Sequence, residues 1–92
     1  MCTSNLDIYL YNSRECYCMI ENLAKCVAKK QKKGITIDLD ILANSAIMGG
    51  IIRKAKEVMK KNDEAILPTK EDVKEMRVEV AQYIIDDFLP YL

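Results

Sequence analysis

Ninety-two residues, half of them hydrophobic, make one domain with room for a single modest core and rule out a disordered chain. Lysine plus arginine matches aspartate plus glutamate at 14 each, so the chain as a whole gives no electrostatic reason to seek a polyanionic partner. No run approaches the roughly 18 uncharged apolar residues of a membrane span, and the first residues lack the basic start and apolar length of a signal peptide.

A cytoplasmic location without membrane contact is therefore expected, with Cys2, Cys16, Cys18 and Cys26 as free thiols. The charge is unevenly spread. Residues 1–62 carry eleven basic and six acidic groups, and residues 63–92 carry three and eight, so two segments of net +5 and −5 face the problem of packing together.

In chain order, Leu6, Tyr9, Leu10, Ser13, Tyr17, Ile20, Leu23, Ala24 and Val27 recur at three- and four-residue steps. That spacing predicts a helix over about 5–33, or a short helix followed by a longer one. Ser4 with Asp7 suits a cap at the start, and Asn12 with Glu15 suits a restart. Lys29, Lys30, Lys32 and Lys33 fill the last turn, where cations match the negative end of a helix, and Gly34 follows as a left-handed cap.

Within this helix the run Cys16–Ile20, CYCMI, is apolar at five positions in succession. Either the helix packs on both others or a second molecule covers part of it. Cys16, Tyr17, Met19 and Ile20 are accordingly candidates for self-association, and a homodimer is expected.

Asp38 is the expected N-cap of a second helix running to about residue 61. Its first half, ILANSAIMGGII, has no charge, and a helix of it is apolar nearly all round, as an element buried on several sides would be. Each glycine inside a helix costs about 1 kcal/mol relative to alanine, so Gly49-Gly50 marks a kink, a break, or a close approach of another backbone. Ala43, Ala46, Gly49 and Gly50 are therefore candidates for close helix packing, with Ala43, Ala46 and Gly50 forming one flat lane.

A third helix over about 69–89 starts at Thr69 with Asp72 three residues on, a capping-box pattern. Val73, Met76, Val80, Ala81, Ile84 and Phe88 form its buried stripe, and Pro90 stops it. The expected architecture is an all-α single domain over residues 1–92, a small antiparallel bundle of three helices or four. In that arrangement Glu71, Asp72 and Glu75 meet Lys56 and Lys60, and Asp86 with Asp87 returns toward the lysines at 29–33.

Chemistry is scarce. The chain has no histidine, which removes the commonest general base, metal ligand and partner of a catalytic cysteine. Cys16 and Cys18 form no CxxC pair, and the cysteines read as small core residues. No phosphate-binding glycine loop is in register at Gly49-Gly50. No catalytic residue, metal site or cofactor is expected.

Two surface features remain. Glu71, Glu75, Glu79 and Asp86 form an acidic ridge suited to docking on a protein. Lys29, Lys30, Lys32, Lys33, Arg53 and Lys54 form basic clusters suited to phosphate backbones. The leading expectation is a non-enzymatic, self-associating protein-interaction module, in keeping with the small accessory proteins of phages and mobile elements. The alternatives are a nucleic-acid-binding regulator using the lysines, and an inhibitor that docks the acidic ridge on a host nuclease or polymerase.

Overall fold

A computed structural model describes residues 4–92; Cys2 lies outside the described residues. The described residues are all-α, with five α-helices among them: α1 Leu6–Asn12, α2 Arg14–Lys32, α3 Leu39–Ala43, α4 Ala46–Lys61 and α5 Lys70–Tyr83. A π-helical turn, Ile84–Phe88, and a 3-10 turn, Leu89–Tyr91, continue from α5. No helix among the described residues is long and apolar enough to cross a membrane.

Two of the expected helices are each divided. The first breaks at Ser13, whose extended backbone caps α2 without a side-chain hydrogen bond. Asn12, expected to start the second segment, instead ends the first: its amide donates back to the Ile8 carbonyl at 3.0 Å. The cap of α1 is Asn5, while Ser4 Oγ accepts a long bond from the Leu6 amide at 3.4 Å.

The second expected helix breaks at Asn44-Ser45, five residues before the glycines. Ser45 is the reason. Its hydroxyl donates to the Leu42 carbonyl at 2.9 Å and accepts from the Met48 amide at 3.1 Å, ending one helix and capping the next. Asp38 caps α3 as expected, accepting from the Ile41 amide at 2.9 Å. Thr69 and Asp72 complete the capping box of α5 with two 3.1 Å bonds.

Two helix ends close in the same way. Ile35 N–H reaches back to the Lys30 carbonyl around Gly34 (φ 85°), and Glu64 N–H reaches back to Met59 around Asp63 (φ 54°). Both are Schellman turns, which need a left-handed residue just past the helix.

The core is one cluster. Leu6 and Leu10 of α1, Cys16, Ile20, Leu23, Ala24 and Val27 of α2, and Met48, Ile51, Ile52, Ala55 and Met59 of α4 are all buried. Leu42 and Ala43 add to it from α3, and Met76, Val80, Ala81 and Ile84 close it from the C-terminal helix. Fully burying each such aliphatic side chain is worth about 1.5–3 kcal/mol, so the stripes read from the sequence are what hold the bundle together.

Helices α2 and α4 are antiparallel. Glu15, at the start of α2, bonds Lys54 in the second half of α4 at 2.8 Å, while Val27 and Lys30 lie beside Ile47 at the start of α4. Helix α5 does not turn back along α4. Its Arg77 meets Ala43 and Gly49, and its Glu79 and Tyr83 meet Tyr11 and Tyr17, so it advances in the same sense as α4. The non-helical connection over 62–69, which leaves the turn at Asp63, carries the chain to the start of α5. Asp87 consequently finishes near Tyr83 and Glu21, and Asp86 accepts from Gln82 at 2.9 Å, instead of both meeting the lysines at 29–33.

Candidate interaction surfaces

Absorbing CYCMI takes both neighbours of α2. Cys16 and Ile20 are fully buried. Met19 reaches Gly50 of α4, where its methyl would be 3.9 Å from any β-carbon, and Tyr17 faces the C-terminal turns. Cys16 and Ile20 are therefore part of the protein's own core and not available to a second molecule, while Tyr17 and Met19 are partly buried against neighbouring elements. Of the other thiols expected inside, Cys18 and Cys26 are exposed. Burial raises the Cys16 thiol above its ordinary value and makes it a packing residue.

Tyr17 belongs to an aromatic cluster invisible in the linear pattern. Its hydroxyl lies 2.9 Å from that of Tyr83, and its ring is 5.9 Å from Phe88. Tyr83 packs edge-on against Tyr11 at 5.2 Å and Phe88 at 5.4 Å. Tyr83 and Phe88 are five residues apart, which in an α-helix points side chains to different faces. The π turn, with its i→i+5 bonds, brings them to one face and so completes the cluster. The bond to Tyr17, with burial and the nearby Asp87 and Glu21, pushes the Tyr83 phenol up to about 12. Burial and the carboxylate of Glu79, 3.2 Å away, also raise Tyr11.

The small-residue lane does not form. Ala43 ends α3, buried; Ala46 begins α4, exposed, on the far side of the Ser45 break. No backbone crosses at Gly50, whose nearest non-local neighbour is the Met19 methyl. What comes close is a side chain, at Gly49. A methyl group there would lie 3.1 Å from Nη2 of Arg77, while Nη1 donates to the Ala43 carbonyl at 3.2 Å.

The acidic ridge is on the surface as the spacing implies: Glu71, Glu75, Glu79 and Asp86 are all exposed. Glu71, Glu75 and Glu79 flank the half-exposed Val78 in a shallow depression shared with Lys74. Glu79 is partly engaged by Tyr11. Arg77, which the sequence places beside the ridge as a neutralising charge, is turned inward.

Among the basic residues, Lys29, Lys30, Lys32, Lys33 and Arg53 are exposed. Lys54 is engaged: it bonds Glu15 at 2.8 Å and Glu57 at 3.7 Å, which raises its pKa and lowers that of Glu15. Glu15 and Lys29 are fourteen residues apart on one helix, roughly 21 Å, so the two clusters lie far apart and form no continuous track. Among the described residues, no three cysteine, aspartate or glutamate side chains are grouped to hold a metal ion.

Other large apolar side chains are uncovered as well: Ile8, Ile66, Leu67, Tyr91 and Leu92 on other parts of the surface, and a group around the corner between α3 and α4. Ile41 and Ile47, in the stretch expected to be buried on several sides, are 56% and 50% exposed. With Leu23, Cys26, Val27 and Lys30 of α2, and with Ile37 and Leu42, they line a groove between α2 and the α3–α4 corner. Ile35, half exposed, lies on the chain that leads into Ile37. The break at Ser45 creates this surface. It turns α3 away from the axis of α4, so residues that would share one buried helix face are spread along a valley. The sequence carried the signal, an uncharged stretch too apolar for one partner face, but assigned it to the core.

No protein-family model, curated protein or solved structure matches the chain.

Proposed function

We propose that this protein is a non-enzymatic helical module that binds another protein through the groove between α2 and the α3–α4 corner. One observation carries the reading: Ile41 and Ile47, each at least half exposed, open together with the exposed Cys26 onto one groove, whereas Ile8, Ile66, Leu67, Val78, Tyr91 and Leu92 are uncovered away from it. The lack of histidine in the sequence supports a binding role over an enzymatic one.

The groove replaces Cys16–Ile20 as the surface offered to a partner. The acidic ridge offers carboxylates around a single half-exposed apolar residue, Val78, which is less than a desolvated anchor requires. The basic clusters are separated and one of their members, Lys54, is already paired, which weighs against a nucleic-acid role.

The test is chemical cross-linking in extract, with bound proteins identified, for the wild type and two variants. The doubly substituted Ile41→Ser, Ile47→Ser protein is expected to lose its specific partner, while Glu71→Gln, Glu75→Gln, Glu79→Gln is expected to keep it. The opposite pattern would transfer the role to the ridge. Retention by both variants would refute the groove.

A further inference from the structure

We infer that the occupant of the groove is an acidic amphipathic helix presented by another protein, an inference that rests on the groove being the working surface. The shape is the first reason. Leu23, Cys26, Val27 and Lys30 lie along one wall on α2, and Ile37 ahead of α3, Ile41 on α3 and Ile47 on α4 line the other, so the groove runs along α2. That is the geometry in which a helix lays down apolar side chains at three- and four-residue steps. A flat bilayer surface cannot reach the floor of such a groove, and phosphate backbones gain nothing from one.

Charge fixes the type of helix. The segment that forms the groove, residues 23–47, holds five lysines and two aspartates. Lys30 lines the groove itself, Lys29 is exposed beside it on α2, and Lys33 is exposed at the cap that follows. A docked helix with carboxylates along its outer edges meets this rim favourably, and a lysine-rich one is repelled.

The fold supplies its own precedent. Residues 1–62, net +5, already hold one acidic amphipathic helix, α5, which turns Met76, Val80 and Ala81 inward and Glu71, Glu75 and Glu79 outward. Helix α3 lies between the two positions: it packs against α5 on one side and lines the groove with Ile41 and Leu42 on the other.

A second copy is a poor occupant. The apolar face of its α5 is committed to its own core, leaving Val78 alone, and two grooves set face to face would oppose two surfaces of net +3.

The experiment is fluorescence anisotropy with three labelled synthetic peptides. One has leucine at helical spacing and glutamate on its other face. The second has lysine in place of glutamate, and the third is the acidic peptide with a central proline. The acidic peptide is expected to bind saturably, about tenfold more tightly than either control, and to weaken as salt is raised. Lys29→Gln with Lys30→Gln should weaken it, and Ile41→Ser with Ile47→Ser should abolish it. These positions are at least half exposed or on the surface, and circular dichroism confirms that the variants remain folded.

Equal or tighter binding of the lysine peptide, still lost with Ile41→Ser and Ile47→Ser, would overturn the acidic partner while leaving the groove intact. Failure of all three peptides to bind would overturn the inference, and the cross-linking test then decides whether the groove binds protein at all. Sedimentation showing a wild-type dimer that Ile47→Ser dissolves would hand the groove to a second copy and also overturn it.

Discussion

The guanidinium of Arg77 lies in the space that a side chain at Gly49 would occupy, and from there it donates to the Ala43 carbonyl, 34 residues away in sequence. That carbonyl ends α3, where acceptors lack partners within the helix and a cation is favoured. One contact thereby ties α5 to the corner between α3 and α4.

The two adjacent glycines should consequently behave differently. Gly50→Ala meets only ordinary contact with the Met19 methyl and should gain about 1 kcal/mol from helix propensity. Gly49→Ala has the same propensity gain but displaces Arg77, and loss of that bond should offset about 0.5–1.5 kcal/mol of it. In an Arg77→Ala background the offset disappears, so Gly49→Ala becomes as stabilising as Gly50→Ala. Urea unfolding of the Gly49–Arg77 double-mutant cycle together with Gly50→Ala measures this; equal gains at both glycines in the wild-type background would refute the Arg77 account.

Asp63 occupies a left-handed conformation at the end of α4 that Gly34 occupies at the end of α2. Glycine adopts that conformation without the steric cost borne by other residues. Asp63→Gly should stabilise the protein by up to about 1 kcal/mol, and Gly34→Ala should destabilise it by about the same amount. Thermal melts of the two variants should shift in opposite directions.

Glu64, immediately after that turn, holds the N-terminal helix. One carboxylate oxygen accepts from Asn5 at 2.8 Å and the other from the Tyr9 hydroxyl at 3.1 Å, which with burial raises the Tyr9 phenol. Glu64→Ala should speed hydrogen exchange in Leu6–Asn12 while leaving the amides of α5 protected. Uniform acceleration across the chain would mean that Glu64 acts on global stability and does not act as a local tie.

The tyrosine cluster makes the protein sensitive to alkali. Tyr11 and Tyr83 have phenols raised in the folded state, so their contribution is complete below the unfolded value near 10 and is lost as pH rises toward about 12 for Tyr83. Stability should therefore fall above pH 10. Phenolate absorbance and circular dichroism followed together should show part of the tyrosine ionising only with unfolding. Tyr17→Phe removes the largest cause of the Tyr83 shift and should lower its midpoint.

Local chemistry was legible in the linear sequence wherever the interaction spans only a few residues. The caps at Asp38 and Thr69, the glycine turn at Gly34 and the apolar stripes of α2, α4 and α5 each follow from spacing, because a helix fixes which neighbours meet. The same is true of the exposed acidic ridge. Spacing failed where one side chain had two local uses. Ser45 reads as one residue of the uncharged helical stretch ILANSAIMGGII, yet its hydroxyl satisfies one helix end and caps the next, and the helix divides there.

The tertiary structure alone decided the rest. The division at Ser45 turned Ile41 and Ile47 from expected core into the walls of a groove. Packing of α2 on both sides absorbed Cys16 and Ile20, and the π turn brought Tyr83 and Phe88 to Tyr17. Arg77 faces inward because Gly49 leaves it room and the Ala43 carbonyl has no partner within α3. Composition determined that this chain folds as helices around one apolar core. Which apolar residues stay outside that core depends on contacts between segments distant in sequence, and those contacts define the surface proposed to bind.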